Sequence, residues 1–374
     1  MNIKVSKKEI EQVNKTPILQ QTAFWSEVKT RQGLMSSAFD FKVAKSELFT
    51  DTPEHKFVES DVLVIIRQIN DEYCMAYVPY GPETEPHMDR QGVFLEELSE
   101  SLRPLLPNKC IMIRYDLAWQ SHWSMDEQYF DEQGIWTGPP GKKMQELRFN
   151  YNTQNWNLKK TNSDILPSNT IFMDLKRDEH VLLENMKTKT RYNIQLAKRK
   201  GVTVKSSGLE DITTWYDLYT QTSARNGICQ DDINYFKTVL TARASNTNSP
   251  AEVEMLLAEA DGMPLAAMFL VVSGNRGTYL YGASANMNRN YMGTYLLQWE
   301  AMRRAKQKGC TEYDFFGVSP TPDPQHPLYG LYKFKRGFGG EMYHRMGCWD
   351  YPLHEAQYIA FTAAELSSKG YHVR

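Results

Sequence analysis

The stretch LYGLYKFKRGFGGE, Leu328–Glu341, gathers four aromatic residues, three cations and four glycines. A solvated loop does not need the aromatics, and a fully buried strand does not accept Lys333, Lys335 and Arg336. The alternation predicts a half-buried strand running into a tight turn, with Lys333 and Lys335 on one face and Phe334 and Arg336 on the other. A row of cations facing a cleft suits one kind of chemistry. When an amine attacks an ester, negative charge builds on the carbonyl oxygen, and a fixed ammonium stabilises it. Lys333 and Lys335 are the candidates for that role, and Phe334 and Arg336 are candidate substrate contacts. No Ser–His–Asp or Cys–His signature accompanies it, so a covalent acyl-enzyme is not expected. HExxH and HxH are absent from the chain, and no metal site is expected.

Other residues carry chemistry in two readings each. From Asn185 to Ser207 there is no acid, but there are Lys187, Lys189, Arg191, Lys198, Arg199, Lys200 and Lys205. At about 100° per residue Lys187, Arg191 and Lys198 share one face, beside an apolar stripe of Leu183, Met186, Thr190, Ile194 and Ala197. This is either a solvated amphipathic helix or a contact for a phosphate backbone; solvated helices usually mix signs. No DNA-reading motif is present, so RNA is the expected partner and DNA is not. In FWSEVK, Lys29 is either part of an amphipathic helix or a phosphate ligand. Asp116 in RYDLAW ends a buried strand, as a catalytic carboxylate or as a structural cap. Tyr279 and Tyr281 in YLYGAS alternate with Leu280, so both should face one side, as core or as the lining of a substrate cleft.

The elements that position these residues fall into two similar runs. The first has a hairpin over DVLVIIRQI and YCMAYVPYG, a helix at FLEELSESLRPLL and a buried strand at CIMIRYDLAW. The second has one long basic helix stopped by Gly201, helices ending at Gly227 and near Ser245, three strands between 251 and 284, a helix over MGTYLLQWEAMRRAKQKG and a strand at CTEYDFFGV. A closing helix runs to about Gly370. From 251 to 318 the order strand, strand, strand, helix, strand is that of an N-acyltransferase fold. Coenzyme A binding there needs a glycine-rich turn before the helix; NMNRNYMGTYLL has Gly293 alone, which points to a different acyl donor.

A chain of 374 residues is too long for one ordinary core and predicts two domains. The net charge of −2 excludes a global field for nucleic acid, so any anion site is a local patch. The N-terminus lacks a signal-like apolar region, and MPLAAMFLVV is about half the length of a membrane span. Five cysteines without a CxxC pair read as free thiols. A soluble cytoplasmic protein is expected, with peripheral contact at the inner membrane face left open.

Six stretches in order resemble the Fem family of peptidoglycan-branching aminoacyltransferases: FWSEVK, MKTKTRYNIQLAKRKGV, SARNGI with INYF, YLYGAS, LLQWEAMRRAKQKGCTEYDFFGV, and PLYGLYKFKRGFGGE with YPL. The resemblance implies an α/β (α+β) fold of two tandem GNAT-like acyltransferase domains, mixed central sheets flanked by helices. Residues 1–164 plus 346–374 would form the precursor-binding domain and 165–345 the tRNA-side domain with the catalytic lysine. It implies aminoacyl-tRNA as co-substrate without any cofactor, and a peptidoglycan precursor, lipid II or UDP-MurNAc-pentapeptide, as acceptor. By the same resemblance Lys335 acts in the transfer, Lys29 contacts the diphosphate, Asp116 is catalytic, and Tyr235 and Tyr281 contact substrate; Tyr279 joins them as a candidate substrate contact from its place in YLYGAS. Lys187, Lys189, Arg191, Lys198, Arg199 and Lys200 would bind tRNA in place of the helical-hairpin arm, of which residues 180–250 show no heptads. Asp231 stands where members that use the UDP precursor carry an arginine, which favours lipid II. The rivals are a coenzyme A-dependent N-acyltransferase and a non-catalytic protein that binds tRNA or wall precursor.

Overall fold

Alternation of apolar and polar residues makes strands of Met35–Ala44 and Ala251–Ala260, and helical spacing makes helices of the segments between the sheets. A computed structural model describes residues 1–50, 56–227 and 229–367. Ile228 of SARNGI and residues 368–374, the end of the predicted closing helix and of the predicted first domain, lie outside the described residues. The chain divides into two compact units, one of residues 1–168, 246–249 and the segment from His344 onward, the other of residues 169–245 and 250–343.

The first unit contains β1 (Lys4–Lys8), α1 (Ala23–Arg31), β2 (Met35–Ala44), α2 (Lys45–Leu48), β3 (Phe57–Gln68), β4 (Cys74–Pro79), α3 (Gln91–Leu102), β5 (Cys110–Gln120), α4 (Lys142–Phe149) and β6 (Lys159–Lys160). The second contains β7 (Asn169–Asp174), α5 (Glu179–Asn185), α6 (Thr188–Arg199), β8 (Thr203–Ser207), α7 (Ile212–Asn226), α8 (Ile233–Thr241), β9 (Ala251–Ala260), β10 (Met263–Ser273), β11 (Arg276–Ser284), α9 (Gly293–Gln307), β12 (Glu312–Asp314) and α10 (Tyr329–Arg336). Strand β13 (Glu341–Pro352) leads out of the second unit into the first, where α11 (Glu355–Ser367) follows.

Both units repeat one scheme. In the first, β1 to β4 pair antiparallel in sequence order, α3 crosses over, and β5 lies parallel to β4. In the second, β8 to β11 pair antiparallel, α9 crosses over, and β12 lies parallel to β11. A parallel pair needs such a crossover, and a helix supplies it. The first sheet is completed by β13, antiparallel to β5, with β6 on its other side; the second by β7, antiparallel to β12. Each unit has its own core, the first around Phe94, Trp119 and Trp349, the second around Met268, Trp299 and Phe338. The cysteines are free, although Cys74 and Cys110, distant in sequence, face each other across β4 and β5 with Sγ atoms 3.1 Å apart.

Two elements differ from expectation. Tyr329–Arg336 is a helix, not a strand. Over so few residues the alternation of Tyr332, Phe334 and Arg336 cannot be told from helical spacing, and helical spacing wins because Tyr332, Lys335 and Phe338 then fall on one inward face. Lys333 is exposed and Lys335 buried, so they do not form one row. The basic helix is also not continuous. It breaks after Asn185, and the Lys187 N–H that begins α6 donates to the Gly337 carbonyl at 2.8 Å.

Candidate active site

Lys335 sits on the inward face of α10 and is 4% exposed. Its Nζ donates to the carbonyls of Gly317 (2.9 Å) and Phe316 (3.3 Å) and lies 5.0 Å from the Tyr279 ring. An ammonium has three N–H bonds, so one direction stays uncommitted to a carbonyl. Burial lowers the lysine pKa to about 7; the nearby Asp314 carboxylate works in the opposite direction. Asp314, buried at the end of β12, accepts from the Thr170 hydroxyl and from the Phe316 N–H at 2.7 Å. That bond helps to hold Phe316 at φ +59°, which turns its carbonyl toward the lysine. Phe334 packs edge-on against Tyr295 and Phe338, and Arg336 donates to the Gly340 carbonyl. These two predicted substrate contacts thus hold α10 in place.

The tyrosines of YLYGAS do not share a side. The β10–β11 ladder pairs Phe269 with Tyr281 and Leu270 with Tyr279, leaving Leu280 as the extra residue of a bulge. Tyr279 therefore turns to the α6, α9 and α10 face and meets Lys335, whereas Tyr281 turns to the α7 and α8 face. There its hydroxyl bonds that of Tyr235, amid Phe236, Phe269 and Trp215. Burial pushes the Tyr281 hydroxyl well above its ordinary pKa. Asp231, four residues before Tyr235, accepts from the Tyr219 hydroxyl at 3.3 Å and places its charge beside this pair.

Helix α6 keeps the predicted apolar stripe: Thr190, Ile194 and Ala197 are buried, as is Met186 just before it. Lys187, Lys189, Lys198 and Arg199 are exposed, and no ion pair joins them to an acid among the described residues. Arg191 and Lys200 have structural bonds instead, Arg191 to the Glu184 and Met186 carbonyls and Lys200 to the Asn290 carbonyl at 2.8 Å. Through Lys187 and Gly337 the start of α6 abuts the end of α10, so the exposed cations begin beside the helix of Lys335.

In the first unit, Thr22 caps α1 by accepting from the Trp25 N–H at 3.1 Å, and Lys29 is half-buried in its last turn. The Lys29 Nζ donates to Gln32 at 3.0 Å and lies 4.7 Å over the Trp25 ring. Asp116 is fully buried in β5. Its Oδ2 accepts from the Tyr77 hydroxyl (3.0 Å) and the Leu166 N–H (2.8 Å), and Cys348 is its ladder partner. Burial and the Asp164 charge raise its pKa to about 7. Gly347, at φ +67°, opens the space that Asp164 fills, since a Cβ there would meet the Asp164 carboxylate.

Several residues of the site went unread in the sequence. Asp314 gave only the weak signal of an acid at a strand end, and Thr170 gave none. Gly282 is followed by nothing glycine-rich, yet a Cβ there would overlap the Tyr279 hydroxyl, so the glycine lets Tyr279 lie under Lys335. Tyr192 stands 56% exposed in the basic helix with Arg199 5.7 Å from its ring. Gly293, the one glycine of the expected phosphate turn, serves packing: a Cβ there would press on Leu265 Cβ at 2.9 Å.

The FemAB family model matches residues 8–248 and 242–366 of the chain. The lipid II:glycine glycyltransferase of Staphylococcus epidermidis is 24% identical over 274 residues, 58% of this chain and 65% of that protein. Its counterpart in Staphylococcus aureus is 24% identical over 256 residues, 52% and 61% of the two chains. The matches thus span less than two thirds of those relatives. The crystal structure of FemX is similar with a TM-score of 0.70, over 96% of this chain and 100% of that one, at 18% identity. A tandem GNAT protein from the clavulanic acid biosynthesis pathway gives 0.51, over 94% and 98%, at 10% identity. These two likenesses describe the fold.

Proposed function

The chain belongs to the FemAB family, and from that premise we propose that it is an aminoacyltransferase, carrying an amino acid from aminoacyl-tRNA to the stem-peptide amine of lipid II. The observation that carries the reading is Lys335, buried, held by two carbonyls and poised near pH 7 between amine and ammonium. The acceptor nitrogen bonds to the ester carbonyl carbon, and the ammonium stabilises the oxyanion. The bond from that carbon to the ribose 3′-oxygen then breaks. Lys335 supplies the proton to the leaving oxygen and recovers one from the new amide nitrogen, so protons balance.

Lipid II is preferred as acceptor because the matched relatives are lipid II:glycine glycyltransferases, and because Asp231 stands where, by the resemblance, members that use the UDP precursor carry an arginine. No described helix is long and apolar enough to cross a membrane. Lys29 is assigned to the acceptor diphosphate, and the exposed cations of α6 to the tRNA backbone. Asp116, out of solvent and bound to the Leu166 N–H, is assigned to holding the end of the first unit's 1–168 segment in place.

The test mixes purified protein with total aminoacyl-tRNA, each amino acid radiolabelled in turn, and with lipid II or UDP-MurNAc-pentapeptide. Label is expected in lipid II, at a rate about 10²–10³-fold lower with Lys335→Met. Transfer to neither acceptor, with coenzyme A bound, would replace this reading by the N-acyltransferase one.

A further inference from the structure

Past β12 the chain does not run on in register with β7. Glu312 pairs with Asp174 and Asp314 with Phe172, and the bond from the Phe315 N–H to the Ile171 carbonyl at 3.0 Å keeps that register. Gly317 would then fall opposite Asn169. Instead the Val318 N–H bonds the Asn169 carbonyl at 3.1 Å. One extra residue is therefore inserted between Phe315 and Val318, a bulge at Phe316 and Gly317. These are the two residues whose carbonyls accept from the Lys335 ammonium. A regular strand turns successive carbonyls to opposite edges, so two neighbours cannot both face one cation; the bulge lifts that restriction.

Asp314 fixes the bulge. Phe316 has φ +59°, a left-handed conformation that a bulky residue adopts only where its neighbours over-determine it. The Asp314 carboxylate accepts from the Phe316 N–H at 2.7 Å and from the Thr170 hydroxyl. Thr170 lies between Asn169 and Ile171, the two β7 residues that bracket the bulge. The N–H of Phe316 is thus held by Asp314 and its carbonyl by Lys335, one bond on each side of the strained Cα. Aspartates that only close turns are mostly exposed, whereas Asp314 is 4% exposed and Thr170 fully buried. The acid also leaves the ammonium its charge. Both bonds of Lys335 end on carbonyls, which carry only partial charges, and the Asp314 carboxylate acts on it from further off, against the effect of burial.

We propose that the 315–318 bulge is the seat of the Lys335 ammonium and that Asp314 is its positioning residue, holding two carbonyls on the lysine so that the third N–H is directed to the oxyanion of the transferring ester. The inference rests on the aminoacyltransferase reading, which it deepens by naming what aims the lysine.

Kinetics with lipid II and aminoacyl-tRNA, beside NMR titration of protein carrying carbon-13-labelled lysine, test it. The Lys335 signal is assigned by its loss in Lys335→Met. Asp314→Ala is expected to lower kcat about 30–100-fold with both KM values within about twofold. It should also move the Lys335 titration midpoint down by about one pH unit, because the carboxylate favours the ammonium and burial opposes it. Tyr279, the other titratable group against the lysine, is pushed up to about 12 by burial and stays neutral throughout. Adding Phe316→Gly, which accepts a left-handed backbone without strain, should restore kcat of Asp314→Ala about tenfold. In the wild-type background Phe316→Val should lower kcat about tenfold more than Phe316→Gly, a comparison that serves even where Asp314→Ala fails to fold. A raised KM at unchanged kcat, an unmoved Lys335 midpoint, or equal effects of glycine and valine at 316 would overturn the proposal and leave Asp314 closing a turn. A wild type that transfers nothing, while the midpoint moves as expected, would leave the seat standing and remove the aminoacyltransferase reading. Full transfer by Asp314→Ala would remove the seat and spare that reading.

Discussion

Lys335 and Asp116 are both buried, and burial drives their pKa values toward the same region from opposite sides, each to about 7. The stability consequences have opposite signs. The folded-state pKa of Lys335 lies below its ordinary 10.5, so between pH 7 and 10.5 the unfolded chain holds more protons and stability rises with pH. Lys335→Met should remove that slope and stabilise the fold near pH 7 by on the order of 2 kcal/mol, while transfer falls about 10²–10³-fold. Urea unfolding at pH 7 and 10, with transfer rates, checks both halves; a variant with full transfer would refute the catalytic assignment. For Asp116 the folded pKa lies above its ordinary 3.8, so its contribution is full below that value and is lost as pH rises through 7. Asp116→Asn should flatten the decline of melting temperature between pH 4 and 7 and keep transfer within about tenfold of wild type. Lys335 and Asp116 could be singled out in the sequence because a cation among aromatics and an acid in an apolar run are unusual, although Asp116 lies inside β5 and not at its end as expected, since Leu117 and Trp119 continue the buried strand to Gln120. Asp314, Thr170 and Gly282 could not, because their importance lies in what stands opposite them, across β7 and β12 or three residues back along β11.

At the scale of elements, the bulge in β11 decides which tyrosine serves which face. One extra residue reverses the side chain that follows, and period-two reading of YLYGAS has no way to see it. Gly282→Ala should drive the Tyr279 ring from beneath Lys335 and lower kcat by about tenfold, leaving the Tyr235–Tyr281 pair intact. Transfer kinetics beside an unchanged far-ultraviolet spectrum would check this. Helix α6 offers a separate test. If Lys189, Lys198 and Arg199 contact phosphates, replacing all three by alanine should flatten the slope of log affinity against log salt for tRNA by about 2. Fluorescence anisotropy over a salt series measures it, and an unchanged slope would return the helix to its solvated reading. The apolar stripe of α6 was readable because it extends over three turns. The break before α6 was not, because it is made by Gly337, some 150 residues away.

At the scale of the whole molecule, the sequence order of strands and helices already showed two α/β runs, since crossover helices and meanders leave local patterns. The place of β13 left none: a strand that reads as apolar on both sides does not name its neighbours, and its partners β5 and β6 come from residues 110–120 and 159–160. That placement has a consequence for the protein as it is made. On the ribosome the strands β7 to β12 and the helices around them emerge together, before β13, and can pack at once. The first sheet must wait with β5 uncovered on one side, for more than half the length of the chain, until residues 344–352 leave the exit tunnel. The unit translated first is thus the one completed last, and during synthesis its open strand edge is the part of the nascent chain most in need of a chaperone.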